Sequence, residues 1–345
     1  MRKYSASDAI SPAIDRTRHY LFGQFRLGTF LKLCLVAILT DGSGSSFNGN
    51  FPSGAGNSHS THSFLAWPGS ATDLGVLVIL PAAMLALALM LWLWYLLVRL
   101  RFAYFHCLAY QIKEITPGWR LYAQPAMRMF QLQLVALLIF LAAVALVALP
   151  FFFAYRGSFT SVAQLGAGSI LLMIAVLLPF IVVVVFFSVA FEIIVYDFML
   201  PHMALEGMTV GEAWRAARQR YRAEKGNFWL YGLLRIVLAI VAGIASALIF
   251  IVPVMVIGLL FFGLFAVVQS GLANATGFAA FSGVVIEVLL VSVGIALAVL
   301  FAICVGGPIA TWKRYYALLF YGSRFPELSN LLWPPPPPQE TFLPV

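Results

Sequence analysis

The sequence predicts an all-α protein, a polytopic transmembrane helix bundle of about six crossings, or seven if one segment crosses on its own, edged by short amphipathic interfacial helices. Three observations carry this. Of 345 residues, 62% are hydrophobic and 10% charged, against about 25% charged in soluble domains. Uncharged runs long enough for the about 20 residues of a spanning helix cover Leu74 to Val98, Met129 to Tyr155, Gly168 to Phe191, Ile236 to Ile286 and Val288 to Trp312. Nineteen of the twenty-one Lys and Arg residues fall in 1–32, 99–128, 201–227 and 313–324, the pattern expected of cytoplasmic flanks.

Residues 1–26 form the N-terminal segment. Pro12 follows Ser11 as at a helix start, and Ile14, Leu21, Phe22 and Phe25 lie near one helical face with Arg16, Arg18 and Arg26 elsewhere. This suits an amphipathic helix on the inner surface. The bundle is expected over 27–322. Leu27 to Thr40 is short and carries Lys32, but if it only dipped into the bilayer the basic N-terminus would lie outside. It is therefore read as the first crossing, retained rather than cleaved, with Lys32 snorkelling inward.

Residues 41–73 are rich in Gly and Ser and hold no basic residue, which predicts a flexible external loop. Its His59 and His62 have a spacing that could share a metal on a helix. The loop has no helical pattern and no third ligand nearby, so no metal or other cofactor is expected. Residues 253–270, after Pro253, would add a seventh crossing that inverts the charge parity. A kinked extension, a re-entrant segment or a buried hairpin preserves it.

The stretch FEIIVYDFMLPHM places Glu192 and Asp197 near the end of a helix that enters at Gly168 and should reach the inner face near Leu200. At 1.5 Å per residue Glu192 lies about 12 Å inside that end and Asp197 about 5 Å, so Asp197 should reach headgroups and water. A buried carboxylate needs a partner. Arg235, at matching depth on the next helix, predicts an ion pair with Glu192. Glu192, Asp197 and Arg235 are thus the candidate intramembrane polar site, with a packing role and a cavity for a lipid headgroup, ion or proton both open.

Residues 201–227 read as a basic cytoplasmic helix, with a Thr209/Glu212 capping box and Gly226 placed to end it. Trp214, Ala217 and Tyr221 recur at helical spacing. Arg215, Arg218, Arg220, Arg222 and Lys225 are the candidate contacts to anionic inner-leaflet lipids. The tail, 323–345, contains five consecutive prolines that force a polyproline II rod. It is either a stiff terminal segment or a ligand for an aromatic-lined groove of a protein partner.

The stretch YDFMLPHMALEGMTVGEAWRAARQ (Tyr196 to Gln219), with its Asp-Phe-x-x-Pro unit and capped Glu-Ala-Trp helix, resembles an uncharacterised family of bacterial multipass membrane proteins. That family is similar to the membrane domain attached to some glycerophosphodiester phosphodiesterases. AIDRTRHYLFGQFRLGTFLKL and PIATWKRYYALLFYGSRFPEL fit the same resemblance. It implies a bacterial inner-membrane protein. The phosphodiesterase activity belongs to a separate soluble barrel that this chain lacks, so it is not implied. RLRFAYFHCLAY and KRYYALLFYG echo one another, as an old duplication or as aromatic belts with snorkelling bases.

The function classes narrow accordingly. The net charge of +8 flanks apolar spans, so no nucleic acid is expected as partner. Cys34, Cys107 and Cys304 read as core residues. No Walker loop, G-x-S-x-G, H-E-x-x-H or C-x-x-C occurs, and His106 beside Cys107 lacks a third group. The expectation is a non-enzymatic accessory or scaffold protein that holds lipid or a protein partner at the inner face. The alternative is a transporter of lipid or small solutes around Glu192, Asp197 and Arg235, its helices broken at Pro150, Pro179, Pro253 and Pro308. Oligomeric state is not legible, and both termini are expected in the cytoplasm.

Overall fold

A computed structural model describes residues 4–23, 25–41, 72–155, 167–272 and 278–334. The histidine pair at 59 and 62, Arg156 and all but the first of the five consecutive prolines lie outside them. The described residues are helical throughout, without strands: α1 (Ile10–Phe22), α2 (Leu27–Thr40), α3 (Thr72–Tyr110), α4 (Thr116–Leu121), α5 (Ala123–Tyr155), α6 (Ala167–Glu192), a π-helical segment (Ile193–Met199), α7 (Leu200–Leu205), α8 (Val210–Ala223), α9 (Lys225–Leu272), α10 (Phe278–Gly322) and α11 (Pro326–Leu332). Five of these helical stretches are long and apolar enough to cross a membrane.

The prolines expected to break helices do not. Pro81, Pro179, Pro253 and Pro308 each lie inside a continuous helix, and α5 runs through Pro150. Residues 253–270 continue α9, so they are neither a separate crossing nor a re-entrant hairpin. Neighbouring helix turns and packing compensate the single hydrogen bond a proline removes.

Two compact units divide the chain: residues 1–4, 93–232 and 320–345 form one, residues 5–92 and 233–319 the other. In the second unit α9 and α10 pair antiparallel. Phe250 meets Phe301 edge-on, with ring centroids 5.3 Å apart, Phe261 lies against Gly294, and Gln269 donates to Glu287 Oε1 at 2.7 Å. At the other end Arg235 Nη1 reaches the Lys313 carbonyl at 3.5 Å. These polar ends are about 39 Å apart along α10 and about 51 Å along α9. The values bracket the about 40–45 Å of a bilayer with its headgroups, so one passage per helix uses the whole apolar length.

The same unit overturns the reading of α2 as a crossing. The helix is about 21 Å long, short of an about 30 Å hydrocarbon core. Asp41, just past its end, is ion-paired with Lys313 at 2.9 Å, both side chains buried, and Arg314 Nη2 donates to the Thr40 carbonyl at 2.7 Å. Asp41 and Lys313 therefore do not lie on opposite faces. Instead α2 packs on the basic end of α10, where a Cβ on Gly307 would come within 2.2 Å of Cys34 Cβ. Helix α1 joins the same end through Tyr20, 5.9 Å from Tyr315 between ring centroids. Its buried face is Ala13, Thr17, Tyr20 and Leu21, while Ile14, Phe22 and Phe25 are exposed.

In the first unit the packed core sits at the basic ends of the helices and not along their apolar shafts. On α3, Leu80 and Leu85 are exposed, whereas Val98, Phe102, Tyr104 and Leu108 are buried. Phe320 and Tyr321 are likewise buried here, and Tyr315 and Tyr316 in the second unit. The two echoing aromatic stretches are thus protein core, not lipid-facing belts. Apolar shafts need no protein cover if lipid solvates them, but the basic ends must satisfy their own polar groups. Helix α4 folds back on α3 at Gly118, where a Cβ would meet His106 Cβ at 2.9 Å. Tyr122 follows, hydrogen-bonded to His106 at 3.2 Å; burial, helped by Tyr110, pushes its phenol up to about 12.

Candidate functional site at the basic end

The helix expected to end near Leu200 does not. The chain passes from α6 through one π-helical stretch into α7, with the Leu200 N–H bonded five residues back to the Val195 carbonyl. Pro201, in the first turn of α7, has no N–H to give and its ring would crowd a regular helical carbonyl. The wider turn admits it. Glu192 closes α6, and Asp197 lies within the π segment.

Asp197 is 3% exposed, so it does not reach headgroups or water as expected, and its partner is not the basic helix. Tyr231 of α9 donates its hydroxyl to Asp197 Oδ2 at 2.8 Å. Tyr231 stacks on Phe320 with centroids 4.3 Å apart, and Phe198 packs on Phe228, Tyr231 and Tyr321. An aromatic cluster thus surrounds the carboxylate.

Glu192 Oε1 is buried without a hydrogen-bond partner. Nearby in sequence, Tyr196 accepts from Gln133 Nε2 and lies under the Arg101 guanidinium at 3.9 Å. Glu192 belongs to the first unit and Arg235 to the second, and each is described where it stands. Arg235 lines a small cavity with Leu238, Trp312, Lys313 and Tyr316.

The helix 210–223 keeps its predicted start. Thr209 N and Oγ1 both donate to Glu212 Oε2, at 2.8 and 2.7 Å, and these bonds hold the Glu212 carboxyl below the ordinary value. Gly207, at φ +64°, makes the turn ahead of it. Its expected end is wrong: α8 stops at Ala223, and Gly226 lies in the first turn of α9. The buried stripe is Ala213 and Ala217, not Trp214 and Tyr221, because small side chains let the helix approach closely. Trp214, Tyr221, Arg215, Arg218 and Arg222 are exposed and fall within an arc of about 120° at 100° per residue. Lys225, also exposed, begins α9.

Arg220 separates from the other arginines. It faces inward, over the Phe325 ring at 4.6 Å, and donates to Tyr321 Oη at 3.2 Å and to His202 Nε2. His202 is fully buried. With Nε2 accepting, Nδ1 carries the proton and gives it to Glu206 Oε2 at 2.6 Å. Sequence reasoning missed this group; the His202/Glu206 spacing of four on a helix was its one legible sign. A second tie joins Arg324 to Glu224 at 2.9 Å and to the Tyr4 carbonyl at 3.0 Å.

No curated protein and no solved structure matches this chain. A family model, described as a family of unknown function (DUF7544), matches residues 4–331. The chain belongs to that family.

Proposed function

We propose that the protein is a non-enzymatic integral membrane scaffold that holds anionic lipid against a rigid basic rim at the inner face. The observation that carries this is the division of labour on α8. Its inward face is fixed by Ala213, Ala217 and the Arg220–His202–Glu206 network, while Trp214, Tyr221 and three arginines project from the opposite arc. Aromatic rings at headgroup level and guanidinium groups beside them suit an anionic leaflet. The Tyr196 to Gln219 resemblance to the membrane domain of glycerophosphodiester phosphodiesterases fits an accessory role beside lipid and is proposed without the enzyme activity. The proline-rich tail would recruit a protein partner. Particles excised from membranes of mixed phosphatidylglycerol and phosphatidylcholine test the reading. Wild type should be enriched in phosphatidylglycerol, and the R215Q/R218Q/R222Q variant should fall toward the bulk ratio with its thermal stability kept; an unchanged ratio defeats the proposal.

A transporter is the second reading, favoured by one feature. The π-helical stretch that follows the unpartnered Glu192 Oε1 is of a kind that often marks functional sites. Proton flux into pyranine-loaded vesicles separates the two: E192Q abolishing a wild-type flux supports transport, and equal traces for both proteins leave the scaffold.

A further inference from the structure

We infer that the crevice between α9 and α10 at their basic ends is a binding site for one phospholipid phosphate, held by Arg235 and Trp312. The inference deepens the scaffold reading by naming a discrete lipid site apart from α8.

The crevice is lined by Arg235, Leu238, Trp312, Lys313 and Tyr316. Its polar lining consists of hydrogen-bond donors without a carboxylate. Lys313 is already neutralised by Asp41 at 2.9 Å, so the Arg235 guanidinium supplies the net positive charge. Arg235 reaches the Lys313 carbonyl through Nη1 at 3.5 Å, and a guanidinium has five N–H donors in a fork matched to phosphate. The Trp312 indole N–H is buried with no hydrogen-bond partner. An indole nitrogen can only donate, so what completes this site is an acceptor. The enclosed space is about 10 Å³, room for one oxygen atom, with the rest of the group at the mouth.

The surroundings favour a lipid over a free anion. Arg235 stands where the uncharged run beginning at Ile236 starts, and Leu233, Ile236, Val237 and Ile240 are exposed on α9 beside it. A phosphate at Arg235 would thus have its acyl chains along an apolar helix surface that already needs such cover. A water-soluble phosphate would gain nothing from that strip.

The test uses the full chain in phosphatidylcholine nanodiscs with a minor fraction of phosphatidylglycerol. Native mass spectrometry counts the phosphatidylglycerol retained. Wild type should keep one molecule at low collision energy. R235Q should weaken retention about tenfold or more, as expected for a lost charge-assisted bond, and W312F, which keeps an aromatic ring, by about threefold. The α8 variant R215Q/R218Q/R222Q should keep this molecule even if it loses the general enrichment, so the site and the α8 rim can fail separately. Wild-type retention in both R235Q and W312F would overturn the site, and W312F alone decides if R235Q does not fold. Loss of the molecule only in the α8 variant would also overturn it. Displacement by millimolar inorganic phosphate, with stabilisation of the lipid-free protein in detergent, would overturn the lipid assignment in favour of a free anion.

Discussion

Tyr231 donates its hydroxyl to Asp197 Oδ2 at 2.8 Å, from the first turns of α9 to the π-helical stretch after α6, and both residues are buried. Y231F leaves a buried carboxylate without that donor while keeping the ring stacked on Phe320. The expected cost is about 1–3 kcal/mol, read as a lower midpoint in detergent unfolding. D197N, whose amide oxygen can still accept, should cost less than D197A; equal losses would mean that the hydrogen bond contributes nothing.

The Asp41–Lys313 pair decides the depth of α2. Removing one partner strands a buried charge, and D41N or K313M should each destabilise by about 3–5 kcal/mol, with the double variant D41N/K313M regaining much of it. Additive losses would contradict the pairing. Cysteines at 41 and 313 should also cross-link within one chain on mild oxidation, which an α2 that spans the membrane would forbid.

Close approach of α2 to α10 depends on Gly307, where an added Cβ would be 2.2 Å from Cys34 Cβ. G307A should push the helices apart and cost about 1–3 kcal/mol as overpacking does. Labelling of Cys34 by a small maleimide should quicken in this variant and stay slow in G243A, where nothing stands within 4 Å.

The α8 cap sets an acid-side response. Bonds from Thr209 depress the Glu212 carboxyl below its ordinary value of 4.5. The cap's contribution is therefore complete above that value and declines as pH falls through the lowered one. Hydrogen exchange in the first turn of α8 should accelerate over that acid range in wild type and be fast at every pH in E212Q. A pH response surviving in E212Q would assign it to another group.

Arg220 should differ in kind from its neighbours. R220Q removes a donor to His202 and Tyr321 and the stacking on Phe325, so it should loosen α8 and expose it to limited proteolysis. R218Q, on the exposed arc, should leave the digestion pattern unchanged.

By itself the sequence determined the helical class, the long apolar segments and the capped start of α8, because each rests on local physics: hydropathy over about 20 residues and a four-residue capping box. It also marked Asp197 and Arg235 as costly charges that need partners. Only the tertiary structure decided who those partners are. Asp197 turned to Tyr231, Asp41 to Lys313 and Arg220 to His202, contacts between residues 34, 272 and 18 positions apart that periodicity does not encode. Depth was lost for the same reason: a short helix such as α2 has too little apolar length to fix its own place, so the buried charge at its end fixes it instead.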